Sequence, residues 1–445
     1  MVERLGNGLG DSLGLSLTYE SQKIINTQTF VISTQDRDVL RELASQVAEL
    51  ASRPLETEKM NLWHAHNALK PVRPLVFCDP ENGWYEIIPA DQLRCEGNLA
   101  RVWEFKLCKE IFWGKEMGDD RVVVPCFNVQ YVFTQSDRGM REKIIGGGDN
   151  GAYGWEPPLR DYAGMDKLHF SQITVDQMKT DQLAALANET FDGLLEVRLE
   201  GCWWWSFGMT SDLIYIVGAE KIMTDMYDEP ENLHHLMAFL RDENLAKLDF
   251  LEKNNLLTLN NRDTYVASGG FGWTDELPQK DFAGHVRPAD MWGFSESQET
   301  VGVSPEMFEE FVFQYQIPIV EKFGLNCYGC CEPLDSRWHI IKKIPNLRRL
   351  SVSNWANEEK MGEMLGRDYI YSRKAPSASL AVSHIDEDAV RNGLRHTVDI
   401  ARRYGCHLEI IMKDNHTIGK NPRNVIDWCR IAREEAESVK YKEGR

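Results

Sequence analysis

The chain lacks any apolar run of about 18 residues, the length a helix needs to span a bilayer, so no membrane segment is expected. It also lacks a basic excess. Fifty Lys and Arg stand against 69 Asp and Glu, a formal net charge of −19 at pH 7. Phosphate backbones are held by basic side chains, so this balance argues against nucleic acid as a partner. An acidic surface keeps a protein soluble without naming a substrate. The amino terminus, Met1 to Leu15, is glycine-rich and has no basic stretch ahead of an apolar core; it does not read as a signal peptide. The ten cysteines (residues 78, 95, 108, 126, 202, 327, 330, 331, 406 and 429) form no disulfide framework. They are expected to be reduced thiols in the cytoplasm. No Gly-x-Gly-x-x-Gly follows a strand candidate, so a dinucleotide fingerprint is missing too.

Hydrophobic residues make up 42% of the 445 positions, enough for a large core. Short apolar or β-branched runs occur at Pro74–Cys78, Leu194–Leu199, Tyr265–Ala267, Met291–Phe294, Leu325–Tyr328, Leu347–Val352, Tyr369–Tyr371 and Leu408–Met412. Helical spacing of apolar residues fills Gln35–Arg53, Pro230–Leu251, Ser304–Phe323, Asn357–Leu365, Asp386–Tyr404 and Asn421–Glu437. Eight strands alternating with helices predict an α/β protein, a closed parallel (β/α)8 (TIM) barrel, with the doubly wound open sheet as the alternative. The expected organisation is an N-terminal arm and helix over residues 1–60, the barrel over 61–437, and a tail over 438–445. An insertion of about 95–178 follows the first strand, and Gly146-Gly-Gly-Asp-Asn-Gly151 reads as a lid rather than a phosphate cradle.

Barrels place their chemistry where the strands run out. Those positions hold Asp79 and Glu81, Glu200, Glu296, Cys330 and Glu332, Arg373, and Asp414 with His416. Ionisable groups converging on one face are costly unless paired, hydrated or metal-bound, which makes the clustering a functional signal. The richest stretch is Cys327-Tyr-Gly-Cys-Cys-Glu332. In an extended segment Tyr328, Cys330 and Glu332 share one face, and Cys327 and Cys331 the other. Buried cysteine is also a common small core residue. A thiolate at Cys330, a carboxylate at Glu332 and the imidazole of His416 would suit zinc with one open position. The run Gly201-Cys-Trp-Trp-Trp-Ser-Phe-Gly-Met209 is the second constellation. Trp203, Trp204, Trp205, Phe207 and Met209, with Trp292, are expected either to cage a flat substrate or to plug the barrel top.

At these residues the chain resembles the uroporphyrinogen decarboxylase superfamily, which includes corrinoid-dependent methyltransferases. Arg73-Pro-Leu-Val76 resembles its first strand, and Phe207 to Gly218 with Tyr227-Asp-Glu-Pro-Glu231 its substrate loop and following helix. Ser304-Pro-Glu-Met-Phe-Glu-Glu-Phe-Val312 is similar to its Ser-Pro-Glu-x-Phe-x-Glu-Phe helix. Asn415-His-Thr-Ile418 with Asn421-Pro-Arg-Asn-Val425 resembles its closing segment. The likeness spans roughly residues 60 to 437 and implies a (β/α)8 barrel, often dimeric. The decarboxylases follow the first strand with arginines that hold a tetrapyrrole's carboxylates. Here Cys78-Asp-Pro-Glu-Asn-Gly-Trp84 is acidic and aromatic, which turns the reading away from them. The methyltransferases carry a zinc-binding His-x-Cys after the sixth strand and a late Cys. Tyr328-x-Cys330 and His416 stand at those positions, with Glu332 able to replace a ligand.

The resemblance therefore implies a methyltransferase moving a methyl group from an O-methyl donor, a methoxylated aromatic by preference, to cobalamin on a separate corrinoid protein. Asp79, Glu200 and His416 are the expected catalytic groups. Glu81, Glu296, Tyr328 and Arg373 join the aromatic residues as the expected substrate contacts. Two alternatives stay open: a decarboxylase or lyase acting through Arg373 and His416, and a barrel that binds without catalysis.

Overall fold

The computed structural model describes residues 29–146 and 153–438. The greater part of the expected arm, the glycine loop beyond Gly146 and the tail after Ser438 lie outside the described residues.

Helix α1 (Thr34–Ala51) starts where the Ser33 hydroxyl accepts the Asp36 N–H at 3.0 Å, and α2 (Pro54–Asn67) starts on a proline. Strand β1 (Leu75–Cys78) is followed by α3 (Asn98–Phe112) and β2 (Cys126–Gln130). Then come the short strands β3 (Phe133–Gln135), β4 (Lys143–Gly146), β5 (Tyr153–Glu156) and β6 (Ile173–Val175), helix α4 (Gln177–Phe191) and strand β7 (Glu196–Glu200). Helices α5 (Thr210–Val217), α6 (Ala219–Asp228) and α7 (Pro230–Lys253) lead to β8 (Trp292–Ser295). Helix α8 covers residues 305–320 with a π-turn at Glu309–Phe313, and opens with the Ser304 hydroxyl accepting the Met307 N–H. The chain closes with β9 (Leu325–Tyr328), β10 (Leu347–Val352), α9 (Glu358–Leu365), β11 (Ile370–Lys374), α10 (Glu387–Tyr404), β12 (His407–Met412) and α11 (Arg423–Glu437).

The fold is α/β, with a central parallel sheet of six strands in the order β1-β12-β11-β10-β9-β8. The last strand lies beside the first, and β1 and β8 are the two edges of the sheet, so the expected eight-stranded closure is not formed among the described strands. The other two long strands, β2 and β7, pair with each other in parallel, apart from the six. Tyr265–Ala267, expected as a strand, makes a single bridge from Tyr265 to Phe271. The glycines that follow explain this: Gly269 and Gly270 take positive φ, and Ala267 joins them at φ 65°, so the run turns before it can pair.

Side chains satisfy the backbone at both edges of the six-stranded sheet. Asn260 pairs with Trp292, its amide donating to the carbonyl and accepting the N–H at 2.9 Å each. On the β1 edge the Asp120 N–H donates to the Val76 carbonyl at 2.7 Å, and the Asp120 carboxylate accepts the Val76 N–H at 2.8 Å. Buried edge groups must find such partners where no strand supplies them. The region expected as an insertion is not a loose excursion. Leu99, Trp103 and Leu107 of α3 pack with Leu40 and Val47 of α1, Phe127 of β2 and Phe191 of α4 in a core of their own.

Side-chain alternation along the parallel strands puts Arg349, Ser372, Lys374, Glu409, Ile411 and Cys327 on one face, and that face is buried and polar. Glu409 is its hub. Its carboxylate meets Arg349 Nε at 3.0 Å, His66 Nε2 at 3.1 Å and the Ser372 hydroxyl at 2.5 Å. Burial works to raise the Glu409 pKa, but Arg349 and His66 outweigh it and bring it down to about 2.

A carboxyl group whose pKa falls on folding stabilises the fold above its ordinary 4.5 and loses that contribution as pH drops toward 2. Glu409→Gln leaves Arg349 buried without its counter-charge. It is expected to cost about 3–5 kcal/mol in denaturant unfolding at pH 7, and to flatten the stability loss between those two pH values. An unchanged midpoint in the variant would refute the hub role.

Candidate active site

All six strands of the sheet run the same way, so their carboxyl ends share one rim. Cys330 reaches this rim because Gly329, at φ 91°, turns the chain out of β9. The turn is then held on every side. Glu332 accepts the Cys330 N–H at 2.9 Å and the Ser297 N–H at 2.8 Å, and the Ser351 hydroxyl donates to the Cys330 carbonyl at 2.7 Å. Beside the Cys330 sulfur stand Cys331 Sγ at 3.6 Å and Lys413 Nζ at 3.8 Å. Lys413 follows β12 on the same face as Glu409 and Ile411, and it meets Asp414 at 3.0 Å and the Ser268 hydroxyl at 3.4 Å. Three non-glycine residues of this rim hold positive φ: Glu81 at 49°, Ala267 at 65° and Asp414 at 61°. Backbone strain gathered at one place is typical of functional sites.

The rim is tuned by its own charges. The Cys331 hydrogen bond lowers the Cys330 pKa to about 7, with Lys413 aiding it against burial. Burial opposes the Lys413 charge, yet Cys330 and Asp414 hold that lysine well above its ordinary value. Burial pushes the Glu81 carboxyl up to about 8, with Asp79 adding to the effect and Lys413 opposing it. At neutral pH the rim thus holds a protonated acid, a charged lysine and a partly ionised thiol.

Next to the rim lies an aromatic cavity of about 140 Å³. Trp203, Trp204, Trp205, Trp292 and Tyr265 supply its apolar wall, and Lys106, Glu200 and Asp263 its polar side. Burial lowers Lys106 to about 8, and burial with Asp263 raises Glu200 to about 7. Three buried polar atoms in this lining have no hydrogen-bond partner: Trp205 Nε1, Tyr265 Oη and Asn128 Oδ1. Orphaned polar atoms around a cavity are expensive in an empty fold and are what a polar ligand would satisfy. Tyr265 belongs to both halves. Its ring lines the cavity, while Lys413, Glu81 and Asp79 act electrostatically on its hydroxyl, whose pKa burial raises well above the ordinary value.

The residues singled out in the sequence divide between this site and other parts of the fold. Asp79 is buried at the rim. Its Oδ1 accepts the Glu81 N–H at 3.0 Å and the Trp84 indole at 2.8 Å, and Oδ2 has no partner. Glu81, Glu200, Cys330 and the three tryptophans fall in the rim and cavity described above. Trp292 is buried and lines the cavity, its indole donating to the Gly272 carbonyl at 3.0 Å. Phe207 and Met209 belong to the main hydrophobic core and not to the cavity lining. Tyr328 faces away from the polar interior and donates to Gln316 of α8 at 2.9 Å. Glu296 accepts the Gln298 N–H at 2.9 Å and is pushed well above its ordinary pKa by burial, Glu299 and Glu332.

Arg373 is a correction. Ser372 and Lys374 take the inner face of β11, so strand alternation sends Arg373 outward. There it pairs with Glu358 at 2.8 Å and donates to the Val352 and Ser353 carbonyls, facing a separate cavity of about 400 Å³ beside α9 and α10. A substrate contact at the rim, and a lyase acting through it, lose that residue. The expected zinc donors are not gathered into one set. Gly329 breaks the extended run on which the shared face of Tyr328, Cys330 and Glu332 depends. Both Glu332 oxygens accept backbone N–H groups, and His416 lies exposed. Among the described residues no group of three or more His, Cys, Asp or Glu is arranged to hold a metal ion.

Sequence reading missed Lys413, Tyr265, Lys106 and Asp263. Period-two alternation from Glu409 pointed at Lys413; the other three come from two distant segments, Lys106 from α3 and Asp263 with Tyr265 from the stretch before β8, which only folding brings together.

No protein-family model and no curated protein matches this chain. Among solved structures a methyltransferase from Methanosarcina mazei is similar at 12% identity, over 86% of this chain and 98% of that one, with a TM-score of 0.47. A likeness of that size supports no conclusion about activity.

Proposed function

We propose that the chain is a methyltransferase that takes a methyl group from an O-methyl compound, an aromatic methyl ether by preference, and delivers it to a corrinoid carried by a separate protein. The observation that carries this reading is Tyr265, whose ring walls the aromatic cavity and whose unpartnered hydroxyl meets the charges of the rim. The motif resemblance at Ser304–Val312 and Asn415–Val425 supports the reaction class.

The corrinoid supplies the nucleophile that accepts the methyl group. A cavity of about 140 Å³ has room for a single ring, so a corrinoid would have to be presented from outside it by its carrier protein. The loops after β10 and β11 offer exposed Trp355 and Val382 to such a partner. The chain's own residues then have two tasks. The tryptophans hold the donor ring in a fixed plane, which removes the entropy cost of alignment from the reacting step. Tyr265 hydrogen-bonds the ether oxygen as charge develops there, and protonated Glu81 returns the proton that oxygen takes up. Lys413 lowers the energy of the developing phenolate through its charge. No step requires zinc.

Two outcomes are expected. Tyr265→Phe removes a buried hydroxyl without a partner, so the variant should melt at the wild-type temperature or above it. Its kcat should nevertheless fall about 100-fold when methylcobalamin formation is followed with the cognate corrinoid protein and a panel of methoxyarenes. Absence of methyl transfer from every member of the panel with wild-type enzyme would reject the proposal. The second outcome concerns pH. Glu81 donates a proton only below its pKa of about 8, so kcat/KM should hold level under that value and fall about tenfold per pH unit above it. Glu81→Gln should erase that alkaline limb, and its persistence would assign the limb to another group.

A further inference from the structure

We propose that Cys330 and Cys331 are a redox modification site, a vicinal dithiol that hydrogen peroxide converts reversibly to a disulfide. The two sulfurs lie 3.6 Å apart, against about 2.05 Å in the bond they would form. The closing distance is small because the backbone is already held. Gly329 sets the turn, Glu332 fixes the Cys330 N–H, and Ser351 fixes its carbonyl. The pair also divides the necessary roles. Cys330 lies beside the Lys413 ammonium, which favours the attacking thiolate, while Cys331 is exposed to solvent, where the finished disulfide is within reach of a dissolved reductant. Cys327, three residues earlier, is buried within β9, 3.7 Å from Arg349, and lacks the solvent exposure of Cys331.

The chemistry balances as follows. The Cys330 sulfur attacks one peroxide oxygen, the O–O bond breaks, and the departing oxygen leaves as water, giving a sulfenic acid. The Cys331 sulfur then attacks that sulfur, and the displaced hydroxyl leaves with the Cys331 proton as a second water. Two thiols and one peroxide become one disulfide and two waters; the thiols lose two electrons and the peroxide gains them. Neighbouring Cα atoms stand about 3.8 Å apart, closer than an unstrained disulfide prefers. The bond is therefore easily reduced, and a dithiol reductant returns the two electrons. Oxidation also takes the Cys330 thiol away from Lys413, so the rim changes charge with the redox state.

The test reads mass alone and stands whether or not the methyl-transfer reading holds. Full-length reduced protein is treated with a few equivalents of hydrogen peroxide, alkylated with iodoacetamide and mapped by peptide mass spectrometry. The expected result is a peptide spanning both cysteines that is two hydrogens lighter and unalkylated, and that recovers two alkylation sites after dithiothreitol. In Cys331→Ser the reaction should stop at a sulfenic acid on Cys330 that dimedone captures. The proposal is overturned if Cys330 goes to sulfinic acid while Cys331 stays alkylatable, if the lost hydrogens map to another pair, or if both thiols survive peroxide. Should the variant fail to fold, the wild-type map decides alone.

Discussion

The carboxylate of Glu409 is fully buried on the inner face of the parallel sheet, and the polar groups of that face are arranged around it. An isolated charge in such a place would cost many kcal/mol. Arg349 answers it directly, His66 arrives from α2, and Ser372 contributes its hydroxyl from the neighbouring strand. Ser372 in turn accepts from Lys374 at 2.6 Å, and Arg349 donates to Asn67 at 2.6 Å. Polar satisfaction on this face therefore ties α2 to β10, β11 and β12, a constraint that hydrophobic packing alone does not impose.

The same strand carries the constraint up to the rim. Two steps of two residues separate Glu409 from Lys413, so the lysine must emerge on the inner face where the strands end. A buried ammonium there needs anionic company, and Cys330 and Asp414 provide it. That requirement explains why thiol, lysine and acids converge at the rim, where Glu81, Ala267 and Asp414 also hold positive φ. The rim is costly as a structural device and useful as a chemical one.

The unpaired edges of the central sheet shape the cavity. Asn260 and Asp120 cap the backbone groups of β8 and β1, while β2 and β7 pair with each other alone. Side chains from Trp203–Trp205, β8 and α3 line the space that remains, and the core shared by α1, α3 and α4 supports β2 behind it. A region that reads as an insertion is thus part of the wall of the candidate site.

Much of this was legible in one dimension. Apolar spacing and caps located six of the helices, down to Ser304 before Pro305, because a helix start is a local matter of unsatisfied N–H groups. Seven of the eight expected strands formed, and reading where strands end singled out Asp79 and Glu81, which lie at the rim, and Glu200, which lines the cavity. The shared face of Tyr328, Cys330 and Glu332 failed, because alternation holds only while the backbone stays extended and Gly329 does not. Arg373 failed because strand alternation assigned its neighbours, not itself, to the interior. The sequence by itself determined the alternating elements and the residue types at the strand ends, since both rest on near-neighbour geometry. Only the tertiary structure decided which of those residues meet, since Tyr265, Lys106 and Lys413 come from distant segments and their pairing depends on burying charge beside charge.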